Sequence, residues 1–134
     1  MSVIGIGLDV VSVPGFAEQL RQPGSTMLHT FRVNERRDCA ERSGDEAQHL
    51  AARWAAREAV IKAWSSSRFA QTPVLPETAV NDVEVVTDNW GRPKVRLHGE
   101  LARYLSGVLI HISLTHDGDT AAAVAILEEP PADR

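Results

Sequence analysis

The chain has 134 residues, of which 43% are hydrophobic and 24% are charged, and its formal net charge is −4 at pH 7. This composition is typical of one folded domain and excludes a disordered chain. The negative charge argues against a nucleic-acid partner or an anionic membrane surface, and no apolar run reaches the roughly 18 residues of a membrane span. We predict one domain over residues 1–134, with residues 128–134 as a flexible tail.

Cysteine usage and the first residues indicate a compartment. Cys39 is the only cysteine, so no disulfide can form within the chain. The first residues lack the basic segment and the cleavage site of a signal peptide. Both features favour a cytoplasmic protein.

The first half of the chain predicts one strand and three helices. Val and Ile dominate residues 3–13, which favours a strand, and Pro14 suits the first turn of a short helix over 14–21. A second short helix is predicted over 34–42. Ser43 and Glu46 match the capping box S-x-x-E and open the longest predicted helix, over 45–66.

The second half predicts mainly strands. Two strands, 82–87 and 94–97, are joined by Asn, Gly and Pro residues that favour a turn. A brief helix over 99–106 is followed by a hairpin of strands 108–115 and 120–127, with His116 and Asp117 at its tip. This order predicts an α+β fold in which an antiparallel sheet packs on one long helix.

The first strand carries an acidic candidate residue. One of its faces is fully apolar, whereas the other carries Gly5, Gly7 and Asp9. Glycine inside a strand indicates that something approaches the backbone closely. Asp9 is therefore either a ligand-binding carboxylate or a strand-end aspartate that makes a turn contact.

The long helix carries a second acidic candidate. Glu58 lies within an apolar stripe, predicted to be the core face, that contains Ala47, Leu50, Trp54 and Ile61. A glutamate there must be paired, hydrogen-bonded or bound to a metal. An ion pair with Lys62 and a ligand role remain equally good interpretations.

Another face of this helix consists of small residues and would admit a neighbouring element or subunit; its members are Ala52, Ala56, Ala59 and Ala63.

Asp9 and Glu58 together suit Mg²⁺, which takes one or two carboxylates and completes its shell with water and phosphates. Arg53, Arg57 and Lys62 are candidate cations for phosphate groups. His116 beside Asp117 is a candidate base or phosphate donor, or a surface residue of the turn.

Four segments in order carry a family resemblance: residues 5–9 (GIGLD), 53–63 (RWAAREAVIKA), 91–93 (GRP) and 113–116 (SLTH). They resemble the bacterial holo-[acyl-carrier-protein] synthases, the small 4′-phosphopantetheinyl transferases, and the actinobacterial members most closely. The resemblance implies transfer of 4′-phosphopantetheine from coenzyme A to a serine of an apo acyl carrier protein, or of a carrier domain in a fatty acid synthase. Adenosine 3′,5′-bisphosphate is released, and the reaction supports fatty acid biosynthesis.

The resemblance also assigns roles to residues. It implies that Asp9 and Glu58 bind Mg²⁺ with the pyrophosphate of coenzyme A, and that Lys62 and Arg53 contact phosphates. Four further residues help bind the nucleotide: Arg92, Pro93, Thr115 and His116. Glu58, Lys62 and His116 are the catalytic candidates, with Glu58 acting through water and His116 aided by Asp117 as alternative acceptors of the serine proton. The family further implies a homotrimer with active sites between protomers.

The chain departs from the family pattern at three places. Arg57 stands where the family usually has lysine, and serines occupy positions 65–67 where Gly-Thr-Gly is common. The first helix, basic in many relatives, holds Glu18 and only Arg21 as a cation. A basic run is a possible substitute for docking an acidic carrier: Arg32, Arg36 and Arg37.

Two other functions use the same residues differently. A Mg²⁺-dependent pyrophosphohydrolase of coenzyme A or a nucleotide would attack with water and need no carrier. A non-catalytic module that binds carrier protein would need no metal, but it would leave Asp9 and Glu58 unexplained.

Overall fold

The computed structural model describes residues 2–42 and 44–130. Its helices are α1 (Val13–Arg21), α2 (Val33–Glu41), α3 (Glu46–Ser66) and α4 (Gly99–Tyr104). Its strands are β1 (Val3–Ser12), β2 (Val83–Thr87), β3 (Pro93–Leu97), β4 (Leu109–Asp117) and β5 (Thr120–Glu128). The predicted α+β class and the predicted order of helices and strands are confirmed; two short 3₁₀ helices, Met27–Thr30 and Glu77–Asp82, are added.

The strands form two antiparallel sheets, where the sequence predicted one. The larger sheet has the order β1-β5-β4, and the smaller sheet pairs β2 with β3. In the larger sheet Asp9 is opposite Ala123 on β5, and His116 on β4 is opposite Ala121. Asp9 and His116 therefore share one face of this sheet, with β5 between them.

Helix α3 packs on that face through its alanines. Ala55, Ala56, Ala59 and Ala63 are fully buried, as are Ala125 and Leu127 of β5. The small-residue face therefore meets the chain's own sheet, which rules it out as a contact with another subunit. The predicted core stripe is wrong in part, because Trp54, Glu58 and Ile61 are only half-buried. The helix lies so close to the sheet that larger side chains are displaced to its flanks.

A second hydrophobic cluster closes the amino-terminal end of α3. The rings of Phe16, Phe31 and Trp54 lie 6.2–6.3 Å apart in tilted or edge-on pairs. This cluster holds α1 and the first 3₁₀ helix against α3.

Three local predictions need correction. Asp45 caps α3 by accepting the Ala47 N–H at 2.9 Å, while Ser43, the predicted cap, lies outside the described residues. His116 and Asp117 belong to β4, so the hairpin tip is Gly118 and Asp119. Glu128 belongs to β5 and the Glu129 N–H donates to Ser2 O at 2.9 Å, so these two residues are not a free tail. Residues 131–134 of the predicted tail lie outside the described residues.

Candidate functional site

The crossing of β1 and α3 is unusually close, and it brings Asp9 beside the helix. A Cβ atom on Gly7 would lie 2.0 Å from the carbonyl oxygen of Ala59, and one on Gly5 would lie 2.1 Å from that of Ala63. Only glycine permits this approach. The prediction that something approaches this backbone is confirmed, and the approaching group is α3.

Lys62 connects the two elements. Its Nζ donates to Asp9 Oδ1 at 2.9 Å and to the Leu8 carbonyl at 3.1 Å. The Lys62 side chain is 55% exposed, whereas that of Asp9 is 15% exposed. A lysine in this position can reach a ligand in solvent while it orients Asp9.

Glu58 is half-buried next to this pair. Burial raises the pKa of its carboxyl, the charge of Asp9 raises it further, and Lys62 lowers it in part. Lys62 pairs with Asp9, so the predicted Glu58–Lys62 ion pair is absent from the described residues. We call Asp9, Glu58 and Lys62 the carboxylate cluster.

The carboxylate cluster could hold a hard divalent cation. Asp9 and Glu58 line one cavity together with Ser12, Phe16 and Trp54. Two carboxylates repel each other at close range, and a cation between them relieves that repulsion. No group of three or more metal-ligating side chains occurs in residues 2–42 and 44–130, so a metal here would need water or substrate oxygens as further ligands.

A groove on the other flank of α3 collects the second set of candidates. The rings of His49 and His116 meet edge to face with centroids 5.6 Å apart. The groove is also lined by Arg42, Arg53, Thr87, Gly91 and Pro93. We call these seven residues the histidine groove.

The two sites are separated by α3 itself. At 100° per residue, His49 and Arg53 project roughly half a turn around the helix from Glu58. Lys62 meets β1, whereas His49 meets β4. The structure therefore does not bring His116 and Pro93 together with the carboxylate cluster within one chain.

Two predicted nucleotide contacts lie outside the groove. Arg92 is exposed, with its Nε donating to Asp88 at 2.6 Å and its guanidinium 5.2 Å from the Trp90 ring. Thr115 is exposed on the face of β4 opposite His116, because neighbouring residues of a strand alternate between faces. Their roles stay predictions.

The phosphate-binding role considered for Arg57 is wrong. It is fully buried, where its guanidinium donates to Glu35 at 2.8 Å and lies 4.2 Å from the centre of the Phe31 ring. Glu35 also accepts the Val85 N–H at 3.1 Å. Arg57 therefore fastens α2 and β2 to α3 and is not available to a phosphate in solvent.

Arg53 has structural partners that the sequence did not suggest. It is 5% exposed, donates to the Val85 carbonyl at 2.6 Å, and forms an ion pair with Asp38. Its predicted phosphate contact stays a prediction, supported by its place in the groove.

Three groove residues were not predicted from the sequence: Arg42, His49 and Thr87. His49 precedes Arg53 by four residues in one helix, a spacing that puts both on one face and could have linked them. Arg42 lies beyond the end of α2, and no local pattern places it near Gly91.

No described helix is long and apolar enough to cross a membrane. The Cys39 thiol is buried, and burial raises its pKa to about 11, so it is a poor nucleophile.

Comparison with known proteins places this geometry in context. A model of the 4′-phosphopantetheinyl transferase superfamily matches residues 5–125. The holo-[acyl-carrier-protein] synthase of Mycobacterium tuberculosis (strain ATCC 25618 / H37Rv) is 65% identical over 130 residues, covering 97% of this chain and 100% of that protein.

Solved structures agree. The acyl carrier protein synthase of Mycobacterium tuberculosis superimposes with a TM-score of 0.81 at 58% identity, covering 96% of this chain and 100% of that one. An ACPS–CoA complex from Chronobacterium ammoniagenes gives a TM-score of 0.89 at 42% identity, covering 98% of this chain and 100% of that one.

Proposed function

The chain belongs to the 4′-phosphopantetheinyl transferase superfamily, and from this we propose that it transfers 4′-phosphopantetheine from coenzyme A to a serine of an apo acyl carrier protein. Adenosine 3′,5′-bisphosphate is the second product, and the reaction supports fatty acid biosynthesis in the cytoplasm. The observation that carries the proposal is the carboxylate cluster, where Lys62 bonds Asp9 at 2.9 Å beside a half-buried Glu58. Relatives at 65% identity are holo-[acyl-carrier-protein] synthases.

In the reaction, the serine oxygen bonds to the phosphorus nearer the pantetheine. The bond from that phosphorus to the oxygen bridging the two phosphates breaks, and its electron pair leaves with the nucleotide. Lys62 holds phosphate oxygens by a charge-assisted hydrogen bond, which stabilises the charge that develops there. Arg53 and His116 are assigned to the nucleotide side.

Glu58 is our preferred acceptor of the serine proton. It would act through a water molecule, because the same carboxylate is assigned to Mg²⁺. His116 is the alternative acceptor, and its ring contacts His49.

We assign Mg²⁺ to Asp9 and Glu58. The donor set fits, since both groups are hard oxygen ligands on one cavity wall. Burial and, after it, the charge of Asp9 raise the pKa of Glu58, and a cation between the two carboxylates would relieve their repulsion. When bound, the ion supplies positive charge that neutralises the pyrophosphate.

We further propose that the enzyme is a homo-oligomer, on the family pattern a homotrimer. The outer face of the larger sheet exposes Ile6, Leu8 and Val10 at 61%, 61% and 63%. Such a contiguous apolar face favours contact with another protein surface. A neighbouring protomer seated there would also cover Thr115, which lies on the same face.

We do not assign carrier docking to the first helix, which is basic in many relatives. On α1, the cation Arg21 is paired with Glu18 at 2.8 Å. We assign docking of the acidic carrier to the basic run of α2, where Arg37 is exposed and Arg36 is half-buried.

The test is to incubate the protein with coenzyme A, Mg²⁺ and an apo carrier protein, and to weigh the carrier. We expect the carrier to gain the mass of one phosphopantetheine, and a carrier whose acceptor serine is replaced by alanine to gain none. Hydrolysis of coenzyme A without modification of the carrier would instead indicate a pyrophosphohydrolase. Binding of the carrier without any chemistry would indicate a non-catalytic module.

A further inference from the structure

Asp38, on α2, does not line the histidine groove, yet it is bonded to three residues that do. Its Oδ2 accepts from the guanidinium of Arg53, from Nε of Arg42 at 3.1 Å and from Oγ1 of Thr87 at 3.2 Å. One carboxylate oxygen therefore connects α2, α3 and β2 behind the groove wall.

Arg42 extends this connection to the G-R-P turn. Its second terminal nitrogen donates to Thr87 Oγ1 at 3.1 Å. Its first terminal nitrogen lies 3.3 Å from the point where a Cβ atom on Gly91 would stand. Gly91, at φ +80°, thus leaves room for the guanidinium next to the turn.

The wall of the groove that Asp38, Arg42 and Arg53 form carries a net positive charge. Burial raises the pKa of Asp38, but the hydrogen bond from Arg42 and the charges of Arg53 and Arg42 outweigh burial, and the net pKa lies below the usual value. Asp38 is therefore ionised at neutral pH. One carboxylate between two guanidinium groups leaves one positive charge, which suits a phosphate in the groove.

We propose that Asp38 is a positioning residue of the coenzyme A site, which orients the guanidinium groups of Arg42 and Arg53 for the phosphates of the bound coenzyme. The inference rests on the proposed function, since it assigns coenzyme A to the groove. Arginine has several rotatable bonds, and fixing them before the ligand arrives lowers the entropic cost of binding.

A simple charge effect predicts the opposite result. If Asp38 only neutralised its neighbours, its removal would make the groove more cationic and would tighten the binding of an anion. If Asp38 orients the arginines, its removal weakens binding despite the added positive charge. The direction of the change therefore separates the two roles.

The experiment measures coenzyme A binding by calorimetry, without carrier, for the parent and for Asp38→Asn. We expect Kd to rise about tenfold, the loss of one well-oriented charge-assisted contact. Kinetically, the KM for coenzyme A should rise similarly while kcat changes little. Unchanged or tighter binding by Asp38→Asn would overturn the proposal.

The matched control is Glu35→Gln. Glu35 lies one turn earlier on α2 and pairs with the buried Arg57. It reaches the groove lining only through the backbone N–H of Val85, and among the described residues it bonds neither Arg42 nor Arg53. We expect lower stability with an unchanged Kd. If this variant weakens binding as much as Asp38→Asn does, the effect is general destabilisation and the proposal fails.

Asp38→Glu provides the test should Asp38→Asn not fold. It keeps the charge and moves the carboxylate by one methylene, so positioning predicts a weaker Kd, and parent-like binding contradicts it. A parent that binds coenzyme A without modifying a carrier refutes the proposed function and leaves this binding test in force. A parent that does not bind coenzyme A refutes both.

Discussion

The carboxylate cluster and the histidine groove lie on opposite flanks of α3, and different contacts assemble them. The cluster depends on one close crossing, where two glycines of β1 admit the backbone of α3. The groove depends on five segments: the end of α2, the helix α3, the strands β2 and β4, and the turn that leads into β3. Short-range sequence patterns can therefore identify the residues of the carboxylate cluster, whereas the histidine groove is recognised only in the tertiary fold.

Substitution of Gly7 should have the largest effect, because it acts on the close crossing that forms the carboxylate cluster. In Gly7→Ala the new Cβ meets the carbonyl of Ala59 at 2.0 Å, so α3 must shift away from β1. We expect a loss of about 3 kcal/mol or more in the free energy of unfolding, measured by urea denaturation. Gly15→Ala, within α1, is the control and should change stability by no more than about 1 kcal/mol. Equal effects at both positions would contradict the close crossing.

Removal of the carboxylates should abolish most transfer without unfolding the protein. Asp9→Ala and Glu58→Ala should each lower kcat by about 100-fold or more, because each removes charge stabilisation from the reacting phosphates. If both act through one ion, the double variant should be little slower than either single variant. Independent, multiplicative losses would contradict a shared ion, and full activity in excess chelator would refute the metal.

Mixing two inactive variants tests whether one active site combines the carboxylate cluster of one protomer with the histidine groove of another. Glu58→Ala keeps an intact histidine groove, and His116→Ala keeps an intact carboxylate cluster. If a site uses the cluster of one protomer and the groove of its neighbour, subunit exchange should restore a measurable fraction of the parent activity. The absence of recovery after demonstrated exchange would return the whole site to one chain.

The pH dependence of stability should show the smallest effect. Because the pKa of Glu58 is raised on folding, the native state binds the extra proton, and stability falls as the pH rises through the window above the ordinary glutamate pKa. Measured by urea denaturation, Glu58→Gln should therefore stabilise the protein more at pH 7 than at pH 4.

Asp88 should show the opposite pH dependence, because its backbone and side-chain hydrogen bonds with Arg92 lower its pKa. Asp88→Asn should lower the free energy of unfolding at pH 7 but not at pH 2.

Most of the secondary structure and the residues of the carboxylate cluster could be predicted from local patterns along the chain. Val and Ile content predicted β1, and a capping box predicted the start of α3. The two glycines predicted that something approaches β1 closely, and Asp9 with Glu58 predicted a pair of carboxylates, but the identity of the approaching group came from the structure. These features are local, since each depends on periods of two or 3.6 residues that can be read along the chain.

The partners of the buried charges could not be predicted in this way, because they come from distant parts of the chain. No pattern indicates that Arg57 pairs with Glu35, 22 residues away, or that Asp38 meets Arg53 and Thr87. The same holds for the face of α3 that meets the sheet, where packing distance selected the alanines over the larger apolar residues. Burial and pairing depend on which elements come together in space, and a sequence period cannot carry that information.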